Sequence, residues 1–155
     1  MLVDLARNDI GAVSEPGSIK IDELLQVKHF SHISHITSTI TGKLCKELDV
    51  FDALNATFPA GTLSGAPKIR AMQIIDELET SRRGIYGGSM MMIDEGGNII
   101  SSIAIRTAFI YSDRVEVRTG AGIVLDSVPE KESEETKLKS LGVIRALELA
   151  NGGVI

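Results

Sequence analysis

The sequence predicts an α+β fold, with antiparallel sheets flanked by helices. Two observations support this prediction. Apolar residues repeat with helical spacing after residue 67, and from Gly87 onward they alternate with the period of two that is typical of strands. An acidic segment then leads into a last stretch with helical spacing. Because the 155 residues contain no internal repeat and no low-complexity linker, one compact unit is expected.

The first 45 residues predict the end of one helix and two strands. Apolar residues before the stop signal Gly11 are typical of the last turns of a helix. Residues 18–21 alternate as a short strand does, and the segment after them is less regular. Residues 32–44 are rich in Ile and Thr and predict a strand that ends near Gly42.

Two helices are predicted between Asp49 and residue 78. Asp49 is a suitable N-cap for a short helix over residues 50–57, which Pro59 ends. A glycine-serine loop then leads into a helix with Pro67 in its first turn. The apolar face that this helix is expected to bury consists of Ile69, Met72, Ile75 and Leu78.

The second half of the chain predicts a meander of three strands followed by a long helix. The strand segments are residues 89–94, 98–111 and 114–120, and the short connections contain Gly, Ser and Asp. Residues 127–130 have the sequence of a capping box with a proline in the first turn, so the last helix is expected to begin there. Two consecutive glycines after residue 151 end it.

Composition excludes several classes of protein. The formal net charge is −5, whereas a general nucleic-acid binder needs a clustered basic surface. The single cysteine, Cys45, excludes an intrachain disulfide, and no apolar run approaches the roughly 20 residues that span a bilayer. The N-terminal residues lack the features of a signal peptide. These observations predict a cytoplasmic protein that binds neither nucleic acid nor membrane.

Arg106 is the most informative single position. Strict alternation places it on one strand face with Ser102, Ala104 and Ala108, which leave room around a long side chain. A guanidinium forms paired hydrogen bonds with carboxylates, so a recessed Arg106 would suit an acidic ligand. A solvent-exposed strand face accounts for the same pattern equally well.

Two glycine-containing loops offer backbone N–H groups to an anion. The loop "GTLSGAPK" has three residues between Gly61 and Gly65 and no Gly-Lys-Ser/Thr ending, so it is not a nucleotide-binding phosphate loop. A loop shaped for another anion stays open. Gly120 and Gly122 form a second such surface.

The acidic segment of residues 130–135 has two interpretations. Carboxylates in the first turn suit the positive end of a helix dipole and need no further role. Alternatively, some of them bind a hard divalent cation. On a helix that begins near residue 129, Glu132, Glu135 and Lys139 share one face, whereas Glu134 points elsewhere. A surface ladder of ion pairs would show the same spacing.

Two further side chains are candidates for chemistry. His35 lies in the Ile- and Thr-rich strand, where a hydrogen-bonded structural role and general acid-base catalysis are both open. Tyr86 precedes two glycines, and either simple packing or ligand contact explains it.

Five segments together resemble the C-terminal part of the chorismate-utilising enzymes. They are "DLARNDIG", "FPAGTLSGAPKIRAMQIIDELE", "RRGIYGG", "IAIRTA" and "GAGIVLDSVPEKESEET". Their order and spacing match the family across nearly all 155 residues. The resemblance therefore implies that the chain is the C-terminal portion of a chorismate-binding catalytic domain.

The resemblance also implies a reaction. The loop with Thr62 is most similar to the anthranilate-forming branch, in which chorismate and ammonia from a glutaminase partner subunit give anthranilate and pyruvate for tryptophan biosynthesis. An alternative is the branch that forms 4-amino-4-deoxychorismate for folate, which tends to carry Gly-Ser and Thr-Gly in this loop. A non-catalytic remnant that binds an anion or a partner is the third interpretation.

The family's site residues fall on candidates that the residue patterns also suggest. The resemblance implies that Glu135, with Glu132 close by, binds Mg²⁺, which grips the ring carboxylate of chorismate. It implies that the enolpyruvyl carboxylate is held by Arg106 and Tyr86. The remaining implied site residues are the substrate-contacting backbone of Gly120 and Gly122, the side chains of Thr62 and His35 facing the reacting ring, and Lys139.

The chain departs from the family at its start. The helix that matches residues 1–9 carries a second magnesium-binding glutamate upstream of Met1 in the family, and the upstream half of the domain is absent here. We therefore expect a fragment that is inactive alone. Its uncovered apolar surfaces are expected to promote self-association.

Overall fold

The computed structural model describes residues 2–29 and 34–153 and confirms the α+β class. Its four helices and six strands within those residues, in chain order, are α1 (Leu2–Gly11), β1 (Lys20–His29), β2 (Ser34–Thr41), α2 (Val50–Thr57), α3 (Lys68–Leu78), β3 (Ser89–Ile93), β4 (Ile99–Ile103), β5 (Ala108–Ile110), β6 (Val115–Val117) and α4 (Pro129–Ala150).

The chain forms two compact units, where its composition predicts one. Unit 1 consists of Met1–Leu78 and Met91–Ser102, and unit 2 consists of Glu79–Met90 and Ile103–Ile155. Both units are therefore assembled from two stretches of chain.

Unit 1 contains an antiparallel pair that the sequence predicts only in part. The predicted short strand and the irregular segment after it form one strand, β1, which pairs with β2 from Lys20 opposite Thr41 to His29 opposite Ser34. The register shifts around Leu25, whose φ of 50° bends the strand. The predicted second strand is confirmed over 34–41, and its predicted first residues, 32 and 33, lie outside the described part of the chain.

Helix α1 organises the rest of unit 1. It contacts α2 and β2, and its Asp9 carboxylate pairs with Lys68 Nζ at 2.9 Å, which ties it to the first residue of α3. Both of these charged side chains are largely buried. Gly61 lies so close to α1 that a Cβ there would overlap the side chain of Leu5. The loop that precedes α3 is thus held against the first helix at two points.

The two helix starts that the sequence predicts have different outcomes. Asp49 caps α2 as predicted: its Oδ1 accepts the Phe51 N–H at 2.8 Å, and Asp52 completes the capping box. The capping box predicted for α4 is wrong. Its N-cap is Val128, and the Ser127 hydroxyl instead accepts the Val124 N–H at 3.0 Å. The loop hydrogen bond competes with the cap for the same oxygen.

The predicted three-strand meander is also wrong. Strand β3 pairs with β4 and strand β5 with β6, as separate two-stranded sheets in the described residues. The predicted middle strand breaks because Ala104 turns back onto the glycines after residue 86, where its N–H donates to the Gly88 carbonyl and its carbonyl accepts the Gly87 N–H, both at 2.9 Å. Ala104 is only 2% exposed, so this crossing lies in the core of unit 2.

The expected burial of one face of α3 is incomplete. Met72 and Ile75 are half-buried, but Ile69 and Leu78, at the two ends of the same stripe, remain 71% and 74% exposed. Many large apolar residues of β3 and α4 are exposed as well. Among the described residues, no helix combines the length and the apolar character needed to cross a membrane.

Candidate functional site

Tyr86 lies at the centre of the candidate site in unit 2. It is 9% exposed, and the guanidinium carbons of Arg83 and Arg118 lie 5.8 and 6.0 Å from its ring centroid. Its backbone N–H donates to the Arg83 carbonyl at 3.1 Å, which holds the turn that presents the ring. Cations at this distance are attracted to the electron-rich ring.

Both arginines are held by one carboxylate, that of Glu79. Arg83 donates from Nε and Nη2 to Glu79 Oε1 at 3.0 and 2.5 Å, and Arg118 Nη2 donates to Oε2 at 2.8 Å. Hydrogen bonding from Arg83 lowers the pKa of Glu79 below its ordinary value of 4.5. Arg118 also donates to the carbonyls of Arg82 and Ser81, at 2.5 and 3.2 Å.

The phenol of Tyr86 lies beside Gly120. A Cβ on Gly120 would lie 3.0 Å from the Tyr86 hydroxyl oxygen, so the hydroxyl lies close to the backbone at this position. The Gly120 carbonyl also accepts a hydrogen bond from Lys139 Nζ at 3.1 Å. Lys139 in turn pairs with the Glu135 carboxylate one helical turn earlier, at 2.5 Å. The structure thus brings together four of the predicted site residues.

Glu132 and Gly122 are two further predicted site residues of unit 2. Glu132 is half-buried one turn before Glu135 on α4, so the predicted shared face is present. Gly122 is exposed, and a Cβ there would meet nothing within 4 Å. In the described part of the chain, no group of three or more His, Cys, Asp and Glu side chains could hold a metal ion.

The predicted strand position of Arg106 is wrong. Arg106 lies in the bend between β4 and β5 with a φ of 51°, the left-handed region that non-glycine residues rarely adopt. Alternation therefore does not place it on a face with Ser102 and Ala108. The residue is exposed.

His35 and Thr62 belong to unit 1. His35 is half-buried on β2 opposite Lys28, and Thr62 is exposed in the turn before Ser64. The Leu63 N–H and the Ser64 hydroxyl both donate to the Ala60 carbonyl, at 3.0 Å each, and close this turn. Within unit 1, these contacts define the conformation of the loop that carries Thr62.

Sequence reasoning missed Glu79, Arg83 and Arg118. The four-residue spacing of Glu79 and Arg83, just before Tyr86, was a local signal that could have suggested an ion pair. Arg118 gave no such signal, because its partners lie 36 to 39 residues earlier in the chain. Together, these three side chains and Tyr86 form what we call the Tyr86 cluster.

This region brings together the kinds of groups that bind anionic small molecules in proteins. It combines buried aromatic surface, guanidinium groups, exposed glycine backbone, a lysine and a pair of helix carboxylates.

Comparison with known proteins defines the family. The sequence profile of the chorismate binding enzymes matches residues 1–145, and the chain therefore belongs to this family. It is 56% identical over 97% of its length to anthranilate synthase component 1 of Aquifex aeolicus, of which it spans 30%. It is 48% identical over its full length to the protein of the same name from Acinetobacter calcoaceticus, of which it spans 31%.

Solved structures agree with this assignment. Anthranilate synthase component I from Streptococcus pneumoniae superposes with a TM-score of 0.88 at 48% identity, over 92% of this chain and 33% of that one. A structure from Bacillus anthracis described as an isochorismate synthase superposes with a TM-score of 0.86 over 96% of this chain and 39% of that one. Its identity is 23%, so this second likeness shows the fold alone.

Proposed function

We propose that this chain is part of an anthranilate synthase component I, which converts chorismate and ammonia into anthranilate, pyruvate and water. Relatives with that name are 48% to 56% identical to nearly the whole chain, although it spans about 30% of their length. The observation that carries the proposal is the continuous link from Tyr86 through Gly120 and Lys139 to Glu135.

The substrate carries two carboxylates, and unit 2 supplies groups suited to them. In the proposal, Tyr86 and Arg106 bind the enolpyruvyl carboxylate through a phenol donor and a guanidinium. The backbone of Gly120 and Gly122 lines the same pocket. Lys139 adds positive charge and, by binding the Gly120 carbonyl, keeps this backbone in place.

Glu135 and Glu132 would hold Mg²⁺, which when bound grips the ring carboxylate of the substrate. Mg²⁺ is usually bound in proteins through one or two carboxylates and keeps several of its waters, so the donor set on α4 fits it. Lys139 pairs with Glu135 and orients that carboxylate.

The reaction also needs proton transfer and a nucleophile. Ammonia, supplied by a glutaminase partner, forms a bond to the ring as the ring hydroxyl leaves as water. Loss of the enolpyruvyl group as pyruvate then gives the aromatic product. In the proposal, His35 moves a proton and Thr62 faces the reacting ring. The product would enter tryptophan biosynthesis.

The test compares two adjacent glutamates of α4 in the full-length polypeptide that carries this chain. Glu135→Gln should lower kcat/KM for chorismate by more than about a hundredfold, the upper end of the loss seen when an outer-shell partner is removed. Glu134→Gln should change it less than about twofold, because a solvated carboxylate in a first turn contributes little. Initial rates of anthranilate fluorescence, with ammonium and Mg²⁺, give both values.

Measuring pyruvate in the same assay separates the alternatives. Anthranilate and pyruvate in equal amounts support the proposal, and amination without pyruvate identifies the aminodeoxychorismate branch. Equal losses in the two variants would show that the metal-binding role of Glu135 is wrong. The 155-residue chain assayed alone is expected to give no turnover.

A further inference from the structure

We infer that Glu79 is a positioning residue: it holds Arg83 and Arg118 against Tyr86 and thereby fixes the Tyr86 hydroxyl beside Gly120. No part of the proposed mechanism uses Glu79. The expected effect of Glu79 on substrate binding rests on the proposed function. Its role in positioning the Tyr86 ring rests only on the contacts within the Tyr86 cluster.

The Glu79 carboxylate binds both arginines of the Tyr86 cluster. Both of its oxygens are engaged: Oε1 accepts from Arg83, and Oε2 accepts from Arg118 at 2.8 Å. The three charged side chains are each only about 30% exposed, at 31%, 28% and 28%. Partly buried charges are screened less by water than exposed ones, so these contacts are stronger than those of a surface ion pair.

The Glu79 carboxylate offsets the repulsion between the two guanidinium groups. Arg83 and Arg118 both lie within about 6 Å of one ring, at 5.8 and 6.0 Å, so two positive charges share a small region. Without the negative charge between them they repel each other. Both Arg83 Nε and Nη2 donate to Glu79, so loss of this carboxylate removes the contact that holds the two guanidinium groups together.

The two arginines affect the candidate site through the Tyr86 ring. The guanidinium groups limit the rotation of the Tyr86 ring, and the hydroxyl at the end of this ring is the atom nearest to a Cβ built on Gly120. Gly120 is also where Lys139 binds the backbone. A ring released by loss of Glu79 would move its hydroxyl away from the position at which the substrate carboxylate is proposed to bind.

Unit 2 contains a matched control. Glu116 accepts from Arg114 Nε at 2.7 Å, and the Arg114 guanidinium lies 4.4 Å from the centroid of the Tyr111 ring. The residue types are the same, but this group is exposed and contains none of the predicted site residues. Glu116→Gln therefore removes a similar ion pair without touching the site.

The kinetic experiment uses the full-length polypeptide. Glu79→Gln should raise KM for chorismate about tenfold and change kcat less than about threefold, because it weakens binding rather than the chemical step. Glu79→Asp, which keeps the charge on a shorter side chain, should give an intermediate KM. Glu116→Gln should leave both constants unchanged. An unchanged KM in Glu79→Gln, in an enzyme that makes anthranilate, would overturn the inference and leave the proposed function intact.

A second experiment measures the solvent accessibility of the Tyr86 ring by fluorescence quenching and needs no substrate. The 155-residue sequence has two tyrosines and no tryptophan, so the Tyr111→Phe variant fluoresces from Tyr86 alone. Acrylamide should quench this fluorescence weakly. Adding Glu79→Gln should raise the quenching constant at least threefold, and adding Glu116→Gln should not. Quenching as strong as that of free tyrosine before Glu79 is changed, or no increase afterwards, would overturn the inference. If the ring behaves as expected but chorismate is not turned over, the proposed function fails and the structural role of Glu79 stands.

Discussion

Unit 2 contains two groups built from the same residue types, the Tyr86 cluster with two arginines and the group of Tyr111, Arg114 and Glu116 with one. Each combines a tyrosine, arginine over its ring and a glutamate that binds the arginine. Arg114 lies closer to its ring, at 4.4 Å against 5.8 and 6.0 Å. Nevertheless, Tyr111 is 47% exposed and Tyr86 only 9%. The distance from cation to ring therefore does not explain why Tyr86 is buried and Tyr111 is exposed.

Sequence separation does distinguish them. Arg114 binds Asp113 and Glu116, its near neighbours, so its contacts form within one turn of chain. Arg118 binds residues 36 to 39 positions away and joins the end of β6 to the segment that follows α3. Local ion pairs in water contribute little to stability, whereas contacts that join distant segments in a partly buried place constrain the fold. The same residue types therefore constrain the fold more strongly when they join distant segments of the chain than when they bind near neighbours.

The largest effect is expected when each ring is removed. Tyr86→Ala should lower the free energy of unfolding by about 3 kcal/mol or more, as for other buried aromatic side chains. Tyr111→Ala should lower it by less than about 1 kcal/mol, since an exposed ring buries little area. Urea unfolding followed by circular dichroism measures both. Equal shifts in the two midpoints would contradict the comparison.

A smaller effect is expected from adding one methyl group beside the Tyr86 cluster. Gly120→Ala places a Cβ 3.0 Å from the Tyr86 hydroxyl oxygen, and the held ring has little freedom to move away. We expect a loss of about 1 to 2 kcal/mol, as for other overpacked sites. Gly122→Ala is the control, because its Cβ would meet nothing within 4 Å, and its effect should stay within about 0.5 kcal/mol. The same unfolding assay applies, and an unaffected Gly120→Ala would mean that the ring is free to shift.

The smallest effect concerns pH. Because Arg83 lowers the pKa of Glu79 in the folded protein, its carboxylate contributes stability above its ordinary value of 4.5, and this contribution is lost as the pH falls through the lower folded value. Glu79→Gln should thus destabilise the protein by about 1 kcal/mol at pH 7, the upper end of the range for exposed pairs because these groups are partly buried, and by less at pH 3. Thermal unfolding of both proteins at the two pH values is the measurement. A difference that stays constant between them would show that charge is not the cause.

Local signals in the sequence predicted the local parts of the structure. Asp49 caps α2 as expected because its oxygen and the N–H groups that it binds lie within three residues. Helix α4 begins at Pro129 for a similarly local reason, although Ser127 makes a loop contact instead of the predicted cap. The i, i+4 spacing of Glu135 and Lys139 likewise became an ion pair.

Features that depend on distant segments were not predictable. Alternation continued through residue 106, and only the hydrogen bonds between Ala104 and the glycines after Tyr86 interrupt the strand there. The spacing of apolar residues in α3 also predicts a buried face, yet Ile69 and Leu78 at its two ends are exposed. Amphipathic spacing indicates which face of a helix is apolar, but it does not specify which other segment covers that face. Glu79 and Arg118 belong together only after the chain has folded. For the candidate site, the sequence therefore indicated the binding groups but not the residues that hold them.

Gly61 lies so close to Leu5 that substitutions at these two positions should depend on each other. Since a Cβ at residue 61 would overlap the Leu5 side chain, a substitution of Gly61 requires that side chain to move or to be replaced by a smaller one. Related enzymes that differ in this loop should accordingly differ in the facing helix as well. An exchange of this loop between family members should therefore include the facing part of α1. The Asp9–Lys68 ion pair also joins α1 to the first residue of α3, so both of its residues should be exchanged together.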